Sequence, residues 1–120
     1  MPVGRIIFTR RALPAVEVVH FAIDRGEIVI RTDGGGQLAA AARGAVVAFE
    51  ADFFDAPRQT GWSVTAVGPA REVTDRGEVE RLREMGLRSW APVADEHFIR
   101  VSPQLLDGRR LGARAGQSAA

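Results

Sequence analysis

Three runs rich in β-branched residues fall within the first 32 positions, and the connections between them are too short for anything but antiparallel pairing. Gly4–Thr9 reads as a first strand, Ala15–Ile23 as a second and Ile28–Thr32 as a third. A break at Leu13-Pro14 separates the first two. Asp24-Arg25-Gly26-Glu27 separates the next two, a hairpin connection with glycine where a positive φ is needed. Parallel strands require a crossover of about a dozen residues or more. The opening third of the chain is therefore an antiparallel meander.

The remainder extends this pattern. Asp33-Gly34-Gly35-Gly36 predicts a flexible loop leading into a short alanine-rich helix, Gln37–Arg43, ended at Gly44. Ala45–Asp52 reads as a fourth strand and Phe53–Thr60, with Pro57, as a loop. Trp62–Val73 is a long fifth strand, with a bulge or barrel corner expected at Gly68-Pro69. From Asp75 to about Trp90 the apolar spacing becomes helical, with Val79, Leu82 and Met85 on one face as expected core and Pro92 closing the region. Glu96–Ser102 is the sixth strand, Pro103–Leu111 is expected to be irregular, and 112–120 is expected to be a disordered tail. Six short strands with two short helices predict a mainly β fold, a small closed antiparallel barrel forming one domain over 1–111. The order is not βαβ, which argues against a doubly wound nucleotide fold.

Composition narrows the chemistry. With 120 residues there is room for one core. No apolar run approaches the roughly 18 residues of a membrane span, and the start reads as strand, not as a signal peptide. Without cysteine there are no disulfides or thiolate metal sites, and a cytoplasmic location is expected. All 16 basic residues are arginine. The missing lysine excludes a pyridoxal-phosphate Schiff base and a P-loop. Any phosphate must be held by arginine, backbone N–H groups or a helix N-terminus. The formal charge of +1, with both signs interspersed, offers no basic stripe for nucleic acid. His20 and His97 lie far apart without a clear third ligand, so no metal site is expected.

Several stretches, in this order and spacing, resemble the pyridoxamine 5′-phosphate oxidase family of FMN-binding split barrels, in particular its short nitroimidazole-resistance-like bacterial branch. They are Gly4–Thr9 with Leu13–Val16 through His20; Ile28–Thr32 running through the glycine loop to Leu38; Val46–Asp52 with Thr60–Val64 and Gly68–Arg71; and Ile99–Pro103 with Gly108–Arg110. The resemblance implies a six-stranded antiparallel split β-barrel, a homodimer with flavin in clefts between subunits, and oxidoreductase chemistry on a small molecule. FMN is the implied cofactor and a deazaflavin the second choice. It implies that Arg31, Thr32, Gln37 and Leu38 surround the phosphate, that Val19 and His20 run along the ring, and that Trp62 and Ser63 wall the cleft.

Each of these residues also has a plainer reading. Arg31 could pair with Asp33 or a neighbouring strand, His20 could be a half-buried strand residue on the face of Val16, Val18 and Ala22, and Trp62 could anchor a core or an interface. His97, alternating with Ile99 and Val101, reads as structural. The chain departs from the family pattern at Gly36 and Gln37, where a Ser and a Lys often hold the FMN phosphate. A cofactor-free binding or dimeric interaction module is the alternative this favours. The family also often carries a short helix before the first strand, and an exposed apolar patch is expected where that helix would pack.

Overall fold

The computed structural model describes residues 2–88 and 95–112. The strands are β1 (Val3–Arg10), β2 (Leu13–Asp24), β3 (Glu27–Asp33), β4 (Val46–Asp55), β5 (Thr60–Glu72), β6 (Glu96–Val101) and β7 (Leu105–Leu111). The helices are α1 (Gln37–Ala42) and α2 (Arg76–Arg83). All pairings are antiparallel. The order β4-β1-β2-β3-β6-β5 closes through β4–β5 into a six-stranded ring, and β7 adds to the free edge of β5.

Two long strands make the barrel split. β2 pairs with β1 over Leu13–His20 and then with β3 over Phe21–Asp24. β5 pairs with β4 over Thr60–Pro69 and then with β6 over Ala70–Glu72. β6 and β7 run end to end along the same edge of β5, joined where Ser102 N–H donates to Pro69 and Gln104 N–H to Val67. The ring encloses one core, built from Ile6, Phe8, Val19, Ile30, Phe49 and Ile99 among others. A second core lies between the outer face of β3 and β6 and helix α2: Val29, Val73, Leu82, Leu87 and Phe98.

Several boundaries differ from the sequence reading. The stretch expected to be irregular after Pro103 is strand β7, because it has an open strand edge to pair with; local composition does not reveal that edge. β5 is uninterrupted at Gly68-Pro69, and the barrel corner there is a change of partner, not a bulge. The break at Leu13-Pro14 is a tight turn at Arg11 and Ala12, both with positive φ, and Pro14 lies within β2. α2 ends at Arg83, so Met85 is exposed and Leu87 takes the expected core place. Trp90 and Pro92, and the tail beyond 112, lie outside the described residues. α2 begins where the Asp75 carboxylate accepts the Glu78 N–H at 2.9 Å, a standard N-cap.

Candidate functional site

Strand alternation divides the sequence-predicted residues among separate surfaces. In β3 the even positions Ile28 and Ile30 face the barrel core, and Thr32 follows them on that face. Arg31 takes the other face with Val29. There Glu96 pairs with its guanidinium at 2.8 Å and the Leu87 carbonyl accepts from it at 3.4 Å. Thus Arg31 sits on the α2 side of β3, paired with a neighbouring strand. Val19 and Leu38 are buried in the barrel core, leaving chiefly their backbone for any ligand. His20 is half-buried on the outer face with Val16 and Val18, both exposed.

The glycine loop is tightly tied. Gly34 N–H donates to the Asp95 carbonyl at 2.8 Å, Gly36 N–H to the Asp33 carbonyl at 2.9 Å, and Gly35 N–H to the Asp33 carboxylate at 3.3 Å. Three amides that might cradle an anion are therefore already used. A Cβ at Gly34 would overlap the His97 ring, so glycine is required there for close approach. Beyond the loop, Gln37 is exposed and faces Arg10 and Arg11 of the β1–β2 turn across a surface groove of about 400 Å³.

Trp62 lies at the opposite end of the barrel. With Phe21, Ile23, Phe49, Val64 and Leu106 it lines an almost wholly apolar cleft of about 340 Å³ where the ring splits. That is the size and character of a small-molecule site. Ser63, on the alternate face of β5, lies in a shallow groove with Arg109 and Arg110. Arg110 pairs across the strands with Trp62 and Arg109 with Ser63. One chain therefore does not bring Gln37 and Trp62 together.

The outer face also carries a continuous apolar row. Register places Val16, Ile7, Ala48, Val67 and Leu105 side by side across β2, β1, β4, β5 and β7. Val16 and Leu105 at its ends are 60% and 68% exposed, and Val18 and Val46 flank it in the open. A row of this length on a surface marks an interaction face.

Two titrating groups lie on the inward faces. Burial pushes the Glu17 carboxyl up, between Ala15 and Val19 on β2. His97 stands between Glu72 at 3.0 Å and Asp95 at 3.1 Å, one carboxylate to each ring nitrogen. Burial opposes its charge, but hydrogen bonds and attraction from Asp95 and Glu72 outweigh this and raise its pKa above 6.5. A raised folded pKa gives stability that is complete below the unfolded value and lost as pH rises through the folded one. The urea midpoint of the wild type should therefore decline from about pH 6.5 upward. His97→Gln should flatten that limb, and parallel profiles for the two proteins would refute the pairing.

The sequence profile of the family described as pyridoxamine 5′-phosphate oxidase matches residues 1–110. An uncharacterised Mycobacterium tuberculosis protein, Rv0080, is 37% identical over 115 residues, covering 92% of this chain and 75% of the relative. Among solved structures, the FAD binding protein from Mycobacterium smegmatis superposes with a TM-score of 0.79 at 32% identity, covering 93% of this chain and 87% of that one. A protein of unknown function from Corynebacterium diphtheriae superposes with a TM-score of 0.73 at 28% identity, covering 93% and 86%. Fold and likeness together define the class, a split β-barrel of the flavoprotein type. The chain belongs to the pyridoxamine 5′-phosphate oxidase family. Among the described residues, no helix is long and apolar enough to cross a membrane.

The arginines at the groove ends were the residues sequence reasoning missed. Arg10-Arg11 is visible as a basic doublet at a chain break, but its position opposite Gln37 depends on the β1–β2 register.

Proposed function

We propose that this protein is a homodimeric flavin-nucleotide-dependent oxidoreductase acting on a small molecule. The observation that carries the reading is the apolar cleft beside Trp62, of a size to accept a flat aromatic ring and open at the split of the barrel. The Mycobacterium smegmatis relative, named for FAD binding, supports a flavin. FMN is the proposed cofactor, with FAD and a deazaflavin as competitors. The redox chemistry would belong to the cofactor, and the protein would hold and orient it.

A second copy fits this reading for a geometric reason. Gln37 and the Thr32 loop lie at one end of the barrel and Trp62 and Ser63 at the other, so a ligand touching both sets needs two chains. The apolar row from Val16 to Leu105 offers a face for the second copy. The dimer interface should exceed about 1,000 Å² in total. Light scattering that returns a monomer at micromolar concentration would remove this part of the proposal.

The test of the cofactor is direct. Purified protein should show a flavin absorption spectrum and release a flavin on denaturation, and its mass distinguishes FMN, FAD and a deazaflavin. Colourless protein that takes up none of them would favour the cofactor-free module, the reading to which Gly36 and Gln37 point. Gln37→Lys adds one charge at the exposed edge of the groove. It should tighten FMN binding by about 1 kcal/mol, less in high salt, and leave riboflavin unchanged. Equal gains for both ligands would place the phosphate elsewhere.

A further inference from the structure

The arginines of this chain are mostly neutralised in place. Arg5, Arg31, Arg43, Arg71, Arg81 and Arg83 each pair with a carboxylate, and Arg100 pairs with three. Arg10 and Arg11 are different. Among the described residues neither makes an ion pair or a side-chain hydrogen bond, and both are exposed. They stand on one wall of the surface groove, with Gln37 on the other and Ala40 and Ala41 beside it. No carboxylate lines this groove. The nearest acid in the loop, Asp33, has its carboxylate turned to the Gly35 N–H.

Two adjacent guanidiniums facing an amide, with small alanines leaving space between, form a receptor for a compact anion. Guanidinium forks match phosphate oxygens bidentately, and the Gln37 amide adds a neutral donor. The loop amides contribute little, since Gly34, Gly35 and Gly36 already donate within the protein. The turn geometry holds the pair in place. Arg11 and Ala12 have φ of 51° and 65°, in the left-handed region that an Asn-Gly turn would occupy more easily.

We propose that Arg10 and Arg11 form the cationic wall of a phosphate subsite, supplying from the β1–β2 turn the charge that this lysine-free chain cannot supply from its glycine loop. The subsite takes the phosphate of a nucleotide ligand. This deepens the flavin-nucleotide reading and rests on it for the identity of that ligand, but the anion chemistry can be measured without a flavin.

The experiment titrates FMN, riboflavin and inorganic pyrophosphate against the wild type and the double variant Arg10→Gln/Arg11→Gln. Calorimetry gives binding, and thermal unfolding checks that both proteins are folded. Gln37→Glu serves as a second variant that keeps both arginines and places a carboxylate opposite them. The double variant should weaken FMN by roughly tenfold or more, the loss expected for hydrogen bonds to a charged group. It should abolish pyrophosphate binding and leave riboflavin within about twofold, the level expected when no charged contact is lost. Gln37→Glu should weaken FMN and pyrophosphate in the same direction. If FMN binds both proteins equally, the subsite is overturned and the flavin reading stands. If riboflavin weakens as much as FMN, the turn acts on the ring or the fold, and the subsite is again overturned. If pyrophosphate binds through the arginines but no flavin binds, the subsite is supported and the flavin reading fails. If the wild type binds none of the three, both fail.

Discussion

Arg100→Ala is expected to cost about 3–5 kcal/mol of stability, the range for removing one partner from a buried ion cluster. The Arg100 side chain is 1% exposed and sits among three carboxylates. Its guanidinium pairs with Asp24, with Glu27 at 3.2 Å and with Glu78 at 2.9 Å, and also donates to the Asp24 carbonyl at 3.2 Å. These contacts join the β2–β3 hairpin and α2 to the middle of the sheet. Removing the cation leaves the acids facing one another with only peripheral arginines to offset them. A loss of this size takes a large share of the roughly 5–15 kcal/mol that holds a domain folded.

The same cluster sets the acid limb. Hydrogen bonds from Arg81 and then Arg100 hold the Asp24 carboxyl well below the usual carboxylate range, against the opposing effect of burial. A depressed folded pKa gives stability present above the unfolded value of about 4 and lost as pH falls toward the folded one. The gap between wild type and Arg100→Ala should therefore narrow below about pH 4. Denaturant titrations at neutral and acid pH check both points. A loss under about 1 kcal/mol at neutral pH would mean that the cluster is solvated as a surface pair is.

Gly68→Ala is expected to destabilise by about 3 kcal/mol, the upper end of ordinary overpacking. A Cβ at this position would overlap the carbonyl oxygen of Ser102, and the Gln104 backbone nitrogen lies 3.1 Å away. Both neighbours are backbone, and the hydrogen bonds from Ser102 to Pro69 and from Gln104 to Val67 pin them on either side, each at 3.1 Å. The clash cannot be relieved by turning a side chain. It also falls where β5 exchanges β7 for β6, and Pro103 and Leu106 of the apolar cleft follow directly. Gly108→Ala is the control. Its nearest atoms are 3.7 and 4.0 Å away, so it should cost less than about 0.5 kcal/mol. Equal unfolding midpoints for the two variants would show that the strand crossing yields, and that the cleft is less rigidly framed than the packing implies.

How the site reads in the sequence depends on the range of the interaction concerned. Trp62 was legible because a large aromatic at a strand start has few uses, and the cleft it lines has the expected apolar character. Gln37 was legible because it follows a glycine loop that opens a helix. Arg31 was harder, since its neighbours in the chain say nothing of Glu96, which faces it from another strand. Met85 was misplaced because the apolar spacing continued past the residue where the helix stops. Gly86, with φ of 71°, marks the turn that follows.

Strand period, turn residues and the lysine-free composition by themselves determined a mainly β barrel, its hairpin at Arg25-Gly26 and the need for arginine at any phosphate. These are local properties, carried by side-chain alternation and by which residues tolerate a positive φ. Only the tertiary structure decided that Leu105–Leu111 is a strand, that Arg100 is buried, and that Arg10 and Arg11 face Gln37 across a groove. Each depends on a partner distant in sequence: the open edge of β5, three acids on other elements, and a helix more than 20 residues further along. Closure of the ring selects those partners, because only there do the free backbone groups of β5 find hydrogen bonds and the charge on Arg100 find carboxylates.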